Sequence, residues 1–430
     1  MKARIEKEIH SRPPVPLQTP CLCHHLVLLD QETGPFDEQA HLREIKVTAR
    51  AETLHCTSSH GFVAGENFSV KWEKHSSFST YTLYFQNNDV QNPAHGNRPA
   101  DQHDPSLTDE IHEWLNRIPG KVLSYTTIQV LAVGVDTAAQ IEAEITGLCK
   151  ESDHLIGIEA NSGAAHIFTD FKTRENGQVS IFLMNKGMAP PRTGRLVQRL
   201  TEIETSRHMA LLNLPLAKEM GPRLSAIEEK LDHIVYEISR PSSTDQRELL
   251  EELTNLAADT ERLAFVSFSR FGATEAYYHI LQNRLKGLKE HHIEGYCRIS
   301  TYLERRIEPA VRTCLHTLGR QDNLSKRIQQ ASQLLRTRVD VNLETQNQQL
   351  LHTMSHRVQT QTRLTRMVEG ISFVTISYYL IELLNMLLQA ISTATGILLP
   401  EQTQLVMIPA IMGLVWFVSH KATRRILSSP

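Results

Sequence analysis

Two apolar stretches near the C-terminus constrain this chain more than any other feature of its sequence. They cover Ile371–Ile391 and Leu405–Val418, with a short, mostly polar stretch between them. The first contains 21 residues, which as a helix extend about 31 Å and match a hydrocarbon core roughly 30 Å thick. The second is shorter and contains Pro409 near its start. We therefore predict a two-helix transmembrane hairpin over residues 371–420, with a second span at about 405–420.

Basic residues favour this interpretation over the alternative of a buried hairpin in a soluble domain. They flank both spans, while the loop Ser392–Gln404 carries only Glu401. By the positive-inside rule, both termini face the cytoplasm, and the flanking cations meet anionic lipid headgroups. Met1–His10 is charged and does not resemble a signal peptide. The flanking cations are Arg357, Arg363, Arg366, Lys421, Arg424 and Arg425.

Composition indicates that most of the chain is a soluble body. Of 430 residues, 22% are charged and 40% hydrophobic, which is enough for two cytosolic domains with ordinary cores. The six cysteines form no disulfide-like framework, which fits a reducing compartment. Residues 1–190 contain 16 basic and 24 acidic side chains, whereas residues 191–370 contain 26 and 22. With aromatic residues at only 6%, we predict no nucleic-acid partner.

Short β-like runs in residues 1–190 predict a mixed α/β cytosolic domain. In Phe68–Lys74 apolar and polar side chains alternate, as in a half-buried strand. The other predicted strands are His24–Asp30, Phe78–Gln86, Lys121–Val133, His154–Glu159, Ala164–Phe171 and Gln178–Met184. The predicted helices are Asp37–Thr48, Leu107–Arg117 and Thr137–Cys149.

Residues 191–370 predict an all-α stalk of four or five helices. The strand patterns stop at Pro190 and Pro191, and further prolines break or kink the helical patterns that follow. The last helix is predicted from Leu324 to Arg366 and continues into the first span. Residues 421–430 form a basic cytosolic tail.

A heptad seam in this last helix is incomplete. It passes through Leu343, Leu350 and Met354, but the surrounding positions are polar on most faces. This pattern favours a coiled-coil-like stalk packed on other helices over an isolated two-stranded coiled coil.

Motifs along nearly the whole chain point to one family. They are Glu8–Pro14 (EIHSRPP), Lys71–His75 (KWEKH), Phe78–Tyr81 (FSTY), Gly194–Leu200 (GRLVQRL), Arg305–Ala310 (RRIEPA), Leu334–Val339 (LLRTRV) and Val368–Ser372 (VEGIS). These segments resemble the domain-of-unknown-function 3422 family, which comprises uncharacterised bacterial membrane-anchored proteins. The resemblance implies a membrane anchor at the bacterial inner membrane and no established activity.

Sequence motifs for enzyme chemistry are missing from the chain. It has no glycine-rich phosphate loop, dinucleotide fingerprint or Gly-x-Ser-x-Gly elbow. His112 and Glu113 begin like a zinc-protease helix, but Asn116 stands where the second histidine is needed. We predict no enzymatic activity, no cofactor and no metal.

Cys21, Cys23, His24 and His25 form a cluster of soft metal ligands. In an extended chain His24 faces away from the other three. Four ligands on five consecutive residues also cannot easily close a tetrahedron around one ion. The sequence therefore favours ordinary strand residues here over a metal site.

A polar group in the N-terminal domain is a candidate binding pocket. It contains an acid, imidazoles and a guanidinium, which suit anion binding or proton transfer. In the alternative interpretation, Trp72 is core and its neighbours cover a strand edge and a turn. The candidate residues are His10, Arg12, Trp72, Glu73 and His75.

Polar side chains form a stripe along the first predicted span. They recur every three or four residues, and Glu382 lies near the bilayer midplane, where an acid costs about 2.5 kcal/mol unless it is paired, protonated or wet. The stripe therefore either packs against protein or lines an ion or proton pathway in an oligomer. Its members are Thr375, Tyr378, Glu382, Asn385 and Gln389.

The layout of the chain leaves three functions open. We favour a non-enzymatic scaffold or regulatory module, oligomeric with copies of itself and anchored at the inner membrane. The second is a channel or transporter with its pathway along the first span, because the layout is similar to that of CorA-type cation channels. The Gly-Met-Asn signature of those channels is missing, and the corresponding region here is Ser392–Gly396 (STATG). The third is an enzyme that uses His10, Arg12, Glu73 and His75.

Overall fold

The computed structural model divides the chain into two compact units, Met1–Ser332 and Gln333–Pro430. The division falls inside the region predicted as a stalk. The residues that it describes are 13–29, 37–48, 53–65, 68–86, 109–134, 138–148, 155–174, 177–240, 245–395 and 403–427.

A ten-stranded mixed sheet organises the first unit. The strand order is β10-β7-β8-β9-β6-β1-β5-β4-β3-β2. Only β6 and β9 pair in parallel, and the other neighbours are antiparallel. The strands are β1 (Cys21–Leu29), β2 (Thr53–Cys56), β3 (His60–Ala64), β4 (Phe68–Lys74), β5 (Phe78–Phe85), β6 (Lys121–Ala132), β7 (Ile156–Ala160), β8 (Ala165–Thr169), β9 (Gln178–Asn185) and β10 (His291–His292).

Eight helices are described, and helices cover both faces of the sheet. One short helix follows β1, a second precedes β6 and a third follows β6. The other helices come after β9. They are α1 (Glu38–Thr48), α2 (Asp109–Asn116), α3 (Ala138–Leu148), α4 (Pro190–Leu211), α5 (Leu214–Ser239), α6 (Gln246–Leu288), α7 (Ile299–Thr395) and α8 (Thr403–Leu427).

The mixed sheet followed by long helices confirms the predicted fold at this level. Every predicted strand is present within a few residues, and Phe68–Lys74 is reproduced as β4. Strands β2 and β3 were not predicted. Residues 191–370 were predicted to be all-α, whereas His291 and His292 pair with Glu159 and Ile158 at the edge of the sheet.

Helix α4 packs across the centre of one sheet face. Its apolar stripe meets side chains from β1, β6 and β9, and α6 and α7 complete the same core. Two prolines open the helix, where their missing amide donors are tolerated. The α4 stripe consists of Leu196, Val197, Leu200, Ile203 and Ala210.

The turn into α4 is held by Asn185 at the end of β9. Its Oδ1 accepts from the amide of Met188 at 2.7 Å, and its Nδ2 donates to Thr19 Oγ1 at 2.8 Å. The amide of Leu17 also donates to the Pro190 carbonyl. The segment before β1 and the start of α4 are therefore tied together.

A separate core lies on the opposite face of the sheet. Helices α1 and α2 cover β1, β3, β4 and β5 there, with Trp72 and Trp114 among the largest buried side chains. The indole of Trp114 donates to the His41 carbonyl at 2.9 Å and stacks on the His41 ring. Farther along this face, Ile145 of α3 packs on Phe168 and Phe182.

The second unit contains a long helical stretch that is exposed. All residues from 340 to 372 in α7 are exposed, including Leu343, Leu350 and Met354. The sequence had favoured packing of this seam on other helices, whereas Leu343, Leu350 and Met354 are exposed in this structure. The polar residues that interrupt the seam do not prevent a continuous helix, since helix formation depends on local propensity and backbone hydrogen bonds.

Helix α7 is also long and apolar enough to cross a membrane. Its apolar window has a mean hydropathy of 1.6, and only 6% of that window is buried. The apolar part of α8, Ile408–Val418, is shorter than a span. Membrane association is thus supported by one helix.

Gly194 allows the close contact between α4 and the segment before β1. A Cβ added at Gly194 would overlap the backbone carbonyl of Val15, which cannot rotate away. We expect Gly194→Ala to lower the free energy of unfolding by about 1–3 kcal/mol through overpacking. Urea titration of the solubilised protein, followed by tryptophan fluorescence, measures this change.

Gly319→Ala is the matched control, because Gly319 lies in α7 with open space around it. Alanine is favoured over glycine in a helix by up to about 1 kcal/mol. Equal destabilisation by the two variants would contradict the steric explanation.

Candidate functional site

The residues of the predicted pocket lie on both faces of the sheet. Trp72 faces α1 and α2, where it is 1% exposed, and it pairs with Tyr81 of β5. Glu73 is the next residue of β4, so its side chain lies on the α4 side. His10 and Arg12 lie outside the described residues. The structure therefore separates Trp72 from the acid and leaves the two N-terminal members as predictions.

A row of polar side chains crosses the sheet beneath α4. Lys71 of β4 pairs with Thr82 of β5, which pairs with His25 of β1, and His25 pairs with Thr126 of β6. Directly paired residues share a face, so all four lie on the α4 side. Lys71 is 7% exposed, and its Nζ lies 3.2 Å from Glu73 Oε1. The sequence pattern assigned the right face to Lys71 but did not predict its burial.

His25 is held by two threonine hydroxyls. Its Nδ1 lies 2.8 Å from Thr82 Oγ1, and its Nε2 lies 2.9 Å from Thr205 Oγ1 of α4. Burial, with Lys71 and His75 adding positive charge nearby, lowers the pKa of His25 to about 3. With both ring nitrogens engaged, this neutral imidazole joins the sheet to α4 and has no free nitrogen for a metal or a substrate proton.

His75 lies in the turn between β4 and β5. Its ring stacks on Phe78 with centroids 4.3 Å apart, and its amide donates to the Phe78 carbonyl. Phe78 in turn contacts Tyr277 of α6, whose side chain hydrogen-bonds Ser77. This polar turn is thus fixed against the helical layer.

Sequence reasoning missed a buried acid on α4. Glu204 is fully buried, its Oε2 accepts from Arg207 at 2.7 Å, and His208 lies 3.9 Å away. The Arg207 guanidinium also lies over the Phe171 ring, 5.2 Å from its centroid. The available signal was one acid beside the apolar stripe of α4, at a position that helical spacing turns inward.

The cysteine and histidine cluster is divided between the two sheet faces. Cys21 and Cys23 are buried beneath α4 with the other apolar residues, and burial raises the pKa of Cys21 to about 12. His24 lies on the opposite face, where its Nδ1 is 2.8 Å from Tyr125 Oη. Among the described residues, no group of three or more His, Cys, Asp or Glu is arranged to hold a metal ion.

The polar stripe of the predicted span lies on an outward side of α7. Glu382 is exposed, Asn385 is half-buried, and the other three members are exposed. The least exposed side of the same helix contains Phe373, Ser377 and Leu380. The stripe is therefore not buried inside this chain.

The buried polar groups of the sheet domain are held by contacts between the sheet and α4. His25 and Glu204 are buried and bonded within the α4 layer, and the Lys71–Glu73 pair lies beside them. A general acid or base needs a proton that it can exchange with a substrate. Among the described candidate residues, Thr375, Tyr378, Glu382 and Gln389 of the stripe on α7 are exposed.

The titration of His25 predicts a pH-dependent stability. Between pH of about 6.5 and 3 the unfolded chain binds a proton at this position and the folded chain does not. The free energy of unfolding should therefore fall as the pH falls, by up to about 1.4 kcal/mol per pH unit from His25. His25→Gln should keep hydrogen bonds to the threonines and reduce this slope.

Urea titrations of both proteins from pH 8 to 5 separate the two effects. The difference at pH 8 reports the altered hydrogen bonds, and the difference in slope reports the titration of His25. His41 and His208, whose pKa values are also lowered by burial, remain in both proteins. Identical slopes would therefore contradict the assignment to His25.

Comparison with known proteins gives a family but no activity. No protein of curated function matches the chain. The solved structure of the full-length CmaX protein matches with 12% identity, covering 71% of this chain and 91% of that chain, but its TM-score of 0.19 is too low to support a shared fold. The family described as protein of unknown function (DUF3422) matches residues 1–426. The chain therefore belongs to the DUF3422 family.

Proposed function

We propose that the chain is a non-enzymatic scaffold or regulatory module held at the bacterial inner membrane. The sheet and its helices form the cytosolic part, and the apolar segment of α7 forms the anchor. The observation that carries this proposal is the 6% burial of the apolar window in α7. A core helix of a soluble protein would hide such a surface from water.

The anchor is proposed to contain two spans. The apolar part of α8 is exposed at Ile408, Leu414 and Phe417, and Lys421 and other cations follow it. These cations, together with Arg363 and Arg366 before the first span, would contact anionic headgroups at the cytoplasmic surface. Both termini would then be cytoplasmic.

The non-enzymatic part of the proposal is supported by the interior of the sheet domain. The imidazole of His25 is bonded at both nitrogens, and Glu204 pairs with Arg207 away from solvent. These groups stabilise the contact between α4 and the sheet. A scaffold needs such a rigid body, and it exerts its effect through surfaces that bind other molecules.

Cysteine labelling tests the topology. Cys297 is exposed on the sheet domain, so a membrane-impermeant maleimide should label it in inverted vesicles and not in right-side-out vesicles. Cys297→Ser gives the background from the other thiols. The reverse pattern of labelling would contradict the proposed orientation.

The second span is tested by Lys421→Cys in the Cys297→Ser background. Lys421 is exposed and lies in α8 just after its apolar part. With two spans, the new thiol lies on the same side as Cys297 and is labelled in inverted vesicles. Labelling only in right-side-out vesicles would leave a single span and overturn the hairpin.

A cation or proton pathway is the second candidate function. The observation that favours it is the exposed Glu382, which the chain itself does not cover. An acid at this depth in a membrane normally faces protein or water. Copies of α7 arranged around an axis would bring such acids to a central path.

Conductance in liposomes separates the two functions. A pathway predicts cation or proton flux that Glu382→Gln lowers at least tenfold, because the substitution removes the charge that the ion would meet. Glu369→Gln is the control, since Glu369 is exposed in α7 before the span. A scaffold predicts liposomes that stay tight with either protein.

A further inference from the structure

The exposed stretch of α7 carries its apolar side chains on one face. Between residues 343 and 371, each exposed large apolar side chain falls on the a, d, e or g position of a single heptad register. The b, c and f positions from 348 to 370 are occupied by polar residues and one glycine. The apolar members are Leu343, Leu350, Leu351, Met354, Val358, Leu364, Met367, Val368 and Ile371.

The polar stripe of the predicted span continues this register without a shift. Ile371 occupies a d position, and steps of four and three residues from it reach the members of the stripe in turn. The a positions from Val368 are Thr375, Glu382 and Gln389, and the d positions are Tyr378 and Asn385. We call the combined a and d positions from Leu343 to Gln389 the α7 seam.

We propose that copies of this chain associate in parallel and in register along the α7 seam. In this arrangement each Leu350 faces Leu350 of another copy, and each Glu382 and Asn385 meets its equivalents within the membrane. The inference rests on the proposed function in one respect. Anchoring in the same membrane with the same topology forces neighbouring copies of α7 to be parallel.

Antiparallel pairing and burial in lipid fit the α7 seam less well. An antiparallel partner would place the polar stripe against Leu343 and Leu350, whose apolar side chains form no hydrogen bonds with it. Lipid cannot cover the stretch from 343 to 370, because charged residues such as Glu344, Arg363 and Glu369 occupy it. A second copy supplies apolar side chains where the seam is apolar and hydrogen-bonding side chains where it is polar.

Polar members of the α7 seam fix its alignment. Asn347 occupies an a position in the exposed stretch, and a single Asn at such a position selects the register of a parallel coiled coil. Arg357 occupies a d position, and its long side chain can extend to the solvent at the edge of the bundle. A strict heptad repeat of this length also requires a left-handed supercoil, because a straight helix drifts by about 20° per heptad.

The side of α7 opposite the α7 seam is the side that the chain itself covers best. Ser377 is 4% exposed, and Phe373, Leu380 and Leu384 are half-buried. They occupy c and f positions in the same register. Within the span the α7 seam is thus exposed at Thr375, Tyr378, Glu382 and Gln389, and half-buried at Asn385.

Disulfide cross-linking in native membranes tests the arrangement. The single substitutions L350C, M354C and L364C lie on the α7 seam, and H352C and Q359C lie at f positions, all at exposed sites. The background carries serine at Cys149 and Cys297. After mild oxidation, each seam variant should give covalent homodimers at least about fivefold more abundant than either f variant.

The same comparison extends into the span with T375C on the α7 seam and L383C at an exposed b position. Cross-linking that follows the register on both sides of Ile371 supports one continuous seam. Equal cross-linking at seam and f positions, no homodimer at any seam position, or adducts only with a different protein would overturn it. Alkaline extraction of the same membranes tests the anchor separately. Release of the protein by alkali would contradict the membrane anchor, whereas a retained protein without seam cross-links would contradict only the seam.

Discussion

The contact between α4 and the centre of the sheet is the interaction on which the rest of the first unit depends. It buries the apolar stripe from Leu196 to Ala210 against β1, β6 and β9. It also provides the surface on which α6 and the start of α7 pack. Between the parallel strands β6 and β9 the chain passes through α3 and then forms β7 and β8, which lie beside β9 in the sheet. Asn185 and the two prolines then direct α4 back across the strands.

The same contact determines the chemistry of the polar residues beneath it. His25 meets two threonines, and Glu204 meets Arg207, inside a layer from which water is excluded. Buried polar groups are costly without partners, so these bonds select one alignment of the helix on the sheet. His25, which the sequence offered as a possible metal ligand, is thus a contact that aligns the sheet with α4.

The sequence predicted most strands because their apolar alternation is strong, as in Phe68–Lys74. Strand β2 was not predicted because its four residues are partly exposed and lack a dominant apolar face. Strand β3 was not predicted because Gly61, which lies close to Leu42 and Trp72, has no side chain to contribute to an apolar pattern. His291 and His292 join the sheet only through pairing with a distant strand. Partners such as Thr205 for His25 are 180 residues apart, and no local pattern links them.

The α7 seam was visible in the sequence only as two unrelated features. An interrupted heptad before Ile371 and a polar stripe after it differ in composition, but they share one register. In the proposed arrangement, this difference follows from the solvent around each part, which is water before Ile371 and lipid after it. In water, apolar burial drives helices together, whereas in lipid it provides no preference and polar contacts hold them. A seam that is mainly apolar outside the membrane and polar inside it therefore favours association of the same helix faces in both environments.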